Sequence, residues 1–229
     1  MTTASTFSAP EGRRTKVYGI LLASLVLACL PSVSELEAQE LRLGVIQSWP
    51  GNTRLGNPTG VVVSAGERPF GRWGFRLAYE FGRDRFRTFG STCVGFIPPE
   101  EVPGCAPESQ REVATLQAIS FSAPWTFLVR ERFELSLVPT VRWSWFESER
   151  TGVVSSRELD ADESMWGFGL GGEVRVQPAM DLPMAVFLGA HAGFLGQTEY
   201  LSIADGYSPF DEGFSLTHVE MGVAFRLGD

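Results

Sequence analysis

The chain has 229 residues, with 25 glycines, 17 phenylalanines and a formal net charge of -8 at pH 7. That acidity argues against nucleic-acid binding, which depends on a basic face. The only lysine is Lys16, near the amino terminus, so Schiff-base chemistry on a lysine has no candidate in the rest of the chain.

The first element is a leader. Arg13, Arg14 and Lys16 precede an apolar run from Val17 to Leu30, then Pro31 and a polar stretch to Leu36-Glu37-Ala38. A basic patch, about 14 apolar residues and a small residue at a cut site have the order of a secretory signal peptide. The run falls short of the roughly 20 residues of a spanning helix. The expected domains are therefore a signal peptide over 1–38 and one folded domain over 39–229.

From Glu40 onward the dominant signal is alternation with period 2, the mark of strands with two unlike faces. Candidate strands run in order over Leu41–Ser48, Thr59–Gly66, Arg72–Gly82, Arg111–Ala123, Phe133–Phe146, Trp166–Gln177, Met184–Gln197 and His218–Leu227. In Arg72–Gly82 one face holds Trp73, Phe75, Leu77, Tyr79 and Phe81, and the other holds Arg72, Gly74, Arg76, Ala78, Glu80 and Gly82. Trp166–Gln177 sets Trp166, Phe168, Leu170, Val174 and Val176 against glycines, Glu173 and Arg175. Gln117 disturbs either facing of Arg111–Ala123, leaving its register open.

The connections alternate in length. Long loops are expected over Asp84–Gln110, Glu147–Ser164 and Thr198–Gly213, with shorter links at Pro124–Arg132 and Pro178–Pro183. Eight strands with long loops at one end and short turns at the other match the plan of an up-and-down antiparallel transmembrane β-barrel. The bulky aromatic face then meets lipid, with Trp143, Trp145 and Trp166 as an interfacial girdle. The small, charged face fills the interior. Its expected occupants are Arg42, Arg72, Arg76, Arg142, Arg175 and Arg226, facing Glu80, Glu134, Glu173 and Glu220, with His191 and His218. A barrel of eight strands is just wide enough to be filled by such side chains, and buried charges must pair.

At the carboxy terminus Glu220-Met221-Gly222-Val223-Ala224-Phe225-Arg226-Leu227 fits the pattern polar-x-Gly-x-x-apolar-x-apolar. It resembles the β-signal that the barrel-assembly machinery reads, with Glu220, Gly222, Phe225 and Leu227 as its key positions. With the leader and the eight strands, the chain resembles the OmpA/OmpX-like barrels. One departure is the ending Leu227-Gly228-Asp229 in place of a terminal aromatic residue. The resemblance implies a bacterial outer-membrane location after signal cleavage, with export and assembly machinery as transient partners. Outer-membrane lipids and lipopolysaccharide would surround the barrel. The periplasmic domain of larger members is not expected here.

Function is expected to be non-enzymatic, with a plugged polar interior, stabilising the envelope or presenting surface loops. The alternatives are a lipid A-modifying enzyme using His218, and a narrow solute pore. No cofactor motif is present. Cys93 and Cys105 bracket a Pro/Gly-rich stretch in an exported chain and are expected to form a disulfide. The acidic residues of Glu147–Ser164 and Thr198–Gly213 offer carboxylates to divalent cations bridging lipopolysaccharide phosphates. Asp160 and Asp162 have the spacing that begins a calcium loop, without its glycine and closing glutamate.

Overall fold

The computed structural model of the chain describes residues 39–51, 55–70, 72–91, 107–153, 158–179, 182–197 and 213–227. Nine strands run through them. They are β1 (Gln39–Pro50), β2 (Thr59–Phe70), β3 (Trp73–Ser91), β4 (Pro107–Ser122), β5 (Trp125–Arg130), β6 (Phe133–Gly152), β7 (Glu158–Val176), β8 (Met184–Gln197) and β9 (Phe214–Leu227). All pairings are antiparallel, and the sheet closes on itself through β1 with β9 and β2 with β3. The protein is an antiparallel β-barrel.

The expected strand number differs by one, and the reason lies at Pro124. A proline has no N–H to donate, so the ladder is interrupted there. The chain does not leave the wall, however. Ala123 N donates to Pro139 O at 3.1 Å, and the Pro124 carbonyl accepts from Gly74 N at 2.9 Å. Beyond the break β5 pairs with β6, and Trp125 sits opposite Trp73 of β3. β4 and β5 thus share one position in an eight-position ring. The expected link Pro124–Arg132 is mostly strand. The turn itself is Glu131-Arg132, with Glu131 at a positive φ of 32°.

Two of the expected long loops are also corrected. β3 and β4 stay paired from Arg76 opposite Ser122 as far as Ser91 opposite Pro107. β6 and β7 stay paired out to Thr151 opposite Glu158. These outer stretches have polar residues on both faces, so no apolar alternation marks them. Cross-strand backbone hydrogen bonds hold them instead. The wall is consequently taller at the end away from the two termini, here called the loop end, than the apolar pattern suggests.

The facing follows the expected parity. Exposed outward side chains include Phe75, Leu77, Phe81, Phe121, Val141, Phe168, Leu170 and Leu188. Trp143 packs on Trp145 at 4.8 Å and stacks on Trp166 at 5.0 Å between ring centroids. Near the opposite end Trp73 stacks on Trp125 at 5.9 Å. An apolar band between two aromatic groups is the outer surface of a barrel that lives in lipid. Gln117 resolves its own ambiguity: it lies on the outward side of β4, where its Oε1 accepts from the Tyr79 hydroxyl at 3.0 Å.

Leu170, 52% exposed on that band, tests the facing. Midway along the apolar stretch from Trp166 to Val176, Leu170→Arg is expected to cost about 2–4 kcal/mol in urea unfolding from vesicles, as a cation at the bilayer midplane does. An unchanged unfolding midpoint would show that this face does not meet lipid.

Candidate functional site

The lumen is organised in layers. At the end carrying the termini, Arg175 of β7 pairs with Glu40 of β1 and, at 4.0 Å, with Glu134 of β6. Glu40 also pairs with Arg42. Arg42 Nη1 donates to Glu173 Oε2 at 2.7 Å, and Arg76 Nη2 approaches the same oxygen at 2.8 Å. Arg76 lies 3.7 Å from Glu220, whose Oε1 is 3.4 Å from His191 Nε2. The His191 and His218 rings stack at 4.7 Å with 12° between planes. His218 Nδ1 lies 3.2 Å from Arg142 Nη1, and Arg142 Nη2 donates to Glu80 Oε2 at 2.6 Å. Ser120 also donates to Glu80, at 3.2 Å.

Residues from seven strands thus form one chain of ion pairs, hydrogen bonds and ring contacts. Glu173 is its hub, with a side chain only 1% exposed and two guanidiniums on one oxygen. Charges taken out of water are tolerable only with such partners, and charge-assisted hydrogen bonds are the strong ones. The Arg42 guanidinium also lies 4.9 Å from the centroid of the inward Phe187 ring, in cation–π range.

The glycines of β7 and β8 make the space. A Cβ on Gly171 would lie 2.1 Å from His191 Nδ1, and one on Gly189 would lie 3.0 Å from both His191 Nε2 and Glu220 Cγ. The alternation of glycine with bulky residues in β7 is therefore a wall thinned on the inside to admit imidazole rings.

Next toward the loop end comes an apolar layer: Leu116, Phe146, Met165, Leu195, Phe214 and Leu216, joined by Leu55. Leu55 belongs to the β1–β2 connection and is 1% exposed. Gly56 beside it has φ 59°, a conformation that suits glycine. Asn57 N donates to Asp84 Oδ2 at 2.7 Å and holds the connection against β3. A second polar group, farther along β4 and β6, centres on Glu112. It accepts from Ser148 Oγ at 2.7 Å and from Arg150 Nη2 at 3.0 Å.

The structure brings together nine expected interior residues: Arg42, Arg76, Glu80, Arg142, Glu173, Arg175, His191, His218 and Glu220, all buried. Two expectations are corrected. Arg72 is exposed because it lies in the turn before β3, outside the alternating ladder. Arg226 is exposed where β9 nears its end and lines a shallow cleft with Glu40, Arg42, Glu67 and Arg175. Glu134 keeps its inward side and reaches Arg175 at the same end, where it is half-buried.

Glu40, Glu112, Arg150 and the apolar layer were not anticipated. Glu112 shares the inward parity of Ala114, Ala118 and Ser120, a signal that Gln117 obscured. His218, the candidate for lipid chemistry, is flanked by the His191 ring and Arg142. Of the assembly-signal residues, Glu220 faces inward and Phe225 and Leu227 outward. Gly222 lies opposite Gly44, where a Cβ would meet Leu43 O at 2.1 Å. Cys93, Cys105, the 1–38 leader and most of the Thr198–Gly213 segment lie outside the described residues.

Removing the hub is expected to be costly. Glu173→Gln leaves Arg42 and Arg76 without their shared carboxylate, a loss of about 3–5 kcal/mol for a broken buried pair. Glu134→Gln, at the half-open rim, is expected to cost about 1 kcal/mol or less. Equal shifts in urea unfolding of the two variants would sink this ranking.

No protein-family model matches the chain, and no curated protein matches it in sequence. Solved structures do match in fold. A major outer membrane protein of Thermus thermophilus is 14% identical with a TM-score of 0.53, the match covering 83% of this chain and all of that one. The attachment invasion locus protein Ail of Yersinia pestis is 11% identical with a TM-score of 0.50, over 84% of this chain and all of that one. The fold is that of the small outer-membrane β-barrel proteins.

Proposed function

We propose that the protein is a bacterial outer-membrane barrel with a closed lumen, which stabilises the envelope and presents its loop end without conducting solutes or performing catalysis. The outward apolar band supports the membrane setting. A face of this size and aromatic content is unusual on a water-soluble monomer, and a closed ring leaves no backbone edge unsatisfied in lipid.

The observation that carries the closed-lumen reading is the stacking of two unlike layers across one narrow interior. The ion-paired chain from Arg175 to Glu80 fills the first part, and the cluster around Phe146, Met165 and Leu195 fills the next. An ion crossing the barrel would have to part the paired charges and then pass a cluster of apolar side chains that cannot replace its hydration. In this reading the polar interior serves packing and closure, and the chemistry offered to the outside lies on the wall and loops.

Planar-bilayer recording of the refolded full-length protein tests this. Silent bilayers are expected from preparations that show the heat-dependent gel shift of a folded barrel. Reproducible single-channel steps from such a preparation would overturn the reading in favour of a narrow pore.

A further inference from the structure

The outward face of β3 changes character abruptly. Trp73, Phe75, Leu77, Tyr79 and Phe81 are followed at the same parity by Arg83, Arg85 and Arg87, all three exposed. Alternate residues of a strand stand about 7 Å apart on one face, so these arginines form an evenly spaced column. β4 adds a fourth, because the register sets Arg87 directly opposite the exposed Arg111. Like charges directly opposed across a sheet are destabilising, and nothing described inside the protein relieves them. The acids alternating with them in β3 and β4 are turned away. Asp84 is bonded to Asn57 N and Arg85 N, and Glu112 is bonded to Ser148 and Arg150 in the lumen. Glu149, set diagonally from Arg111 across β6, forms no ion pair with it.

Position supplies the second part of the case. The cross-strand row Phe81–Gln117–Trp145 reaches the tryptophan group that bounds the apolar band. The next outward row is Arg83–Thr115–Glu147. The arginine column therefore begins one step above the band, at the depth where lipid headgroups lie. The guanidinium fork matches phosphate oxygens in bidentate geometry.

We propose that Arg83, Arg85, Arg87 and Arg111 form a docking surface on the outer wall for phosphate groups of lipids in the leaflet at the loop end. This rests on the membrane-spanning reading above. The surface is one-sided: the β6 wall beside it carries Glu147 and Glu149 at the same level, so phosphorylated lipids would collect along β3 and β4 and not around the whole circumference.

The test uses the full-length protein refolded into phosphatidylcholine vesicles containing a minor fraction of bisphosphorylated lipid A, comparing wild type with the Arg83→Gln/Arg85→Gln/Arg87→Gln/Arg111→Gln variant. Flotation and the heat-dependent gel shift score insertion and folding separately, so failure of the membrane reading is seen before any lipid is counted. Lipid A retained on the extracted protein is then quantified. Wild type is expected to retain lipid A over phosphatidylcholine, with retention falling about fivefold per arginine removed, the change that a surface cation near an anionic membrane brings. Glu147→Gln/Glu149→Gln is expected to keep that retention. The single Arg85→Gln variant carries the comparison if the quadruple variant does not fold.

Equal retention by wild type and arginine variant, or equal retention of dephosphorylated lipid A, would overturn the proposal. So would displacement of the lipid by inorganic phosphate at matched phosphate concentration, which would assign the arginines to a free anion. An arginine-dependent cross-linked dimer in phosphate-free vesicles, without lipid retention, would assign the face to a second copy of the chain.

Discussion

The structure depends on the closing of one sheet upon itself. β1 and β9 run antiparallel from Gln39 opposite Leu227 to Pro50 opposite Leu216, and without that seam both strands would present unpaired backbone groups to their surroundings. In hydrocarbon each such group costs several kcal/mol. The ring has to close, and closing it creates a narrow interior that must be filled. The charged chain, the thinned glycine wall and the apolar layer are all answers to that second requirement. Gly44 and Gly222 meet at the seam itself, where the strands approach too closely for a Cβ on Gly222.

Much of this was legible in the sequence because a barrel wall separates two environments at every second residue. Where one face is apolar and the other charged, as in Arg76 to Glu80 or Trp166 to Arg175, parity alone assigns the side. The pattern goes silent where both environments are polar, and this is why β3 beyond Gly82 and β6 beyond Phe146 read as loop. It is also silent where both are apolar. Leu116, Met165 and Leu195 lie on inward positions yet look like lipid-facing residues. No local pattern marks Leu55, which enters the lumen from a connection and not from a strand. Pairing partners were equally hidden: Arg42 and Glu173 are 131 residues apart in the chain, and only the ring brings them within reach.

The two interior layers differ in how they resist disturbance. The ion-paired layer is directional: Glu173 holds two guanidiniums through one oxygen, and the His191–His218 stack joins Glu220 to Arg142, so the loss of one member leaves others stranded. The apolar layer is held by packing, where neighbours can shift to refill part of a gap. The charged layer thus specifies which strands face one another across the lumen, and the apolar layer contributes bulk without that specificity. The outer wall has a similar division, an apolar band that is uniform around the ring and a polar collar that is not.

Leu55 ties the beginning of the chain to its end. It sits on the first hairpin, yet the cluster it enters includes Phe214 and Leu216 of the last strand and Leu195 of the one before. The socket is incomplete until β8 and β9 are in place, and the stopper cannot seat until β1 has met β9. Seating and seam closure are therefore coupled in one cooperative event. A barrel whose seam parts at the loop end would also withdraw its own cork, so any species that leaks should already have an unlatched first hairpin.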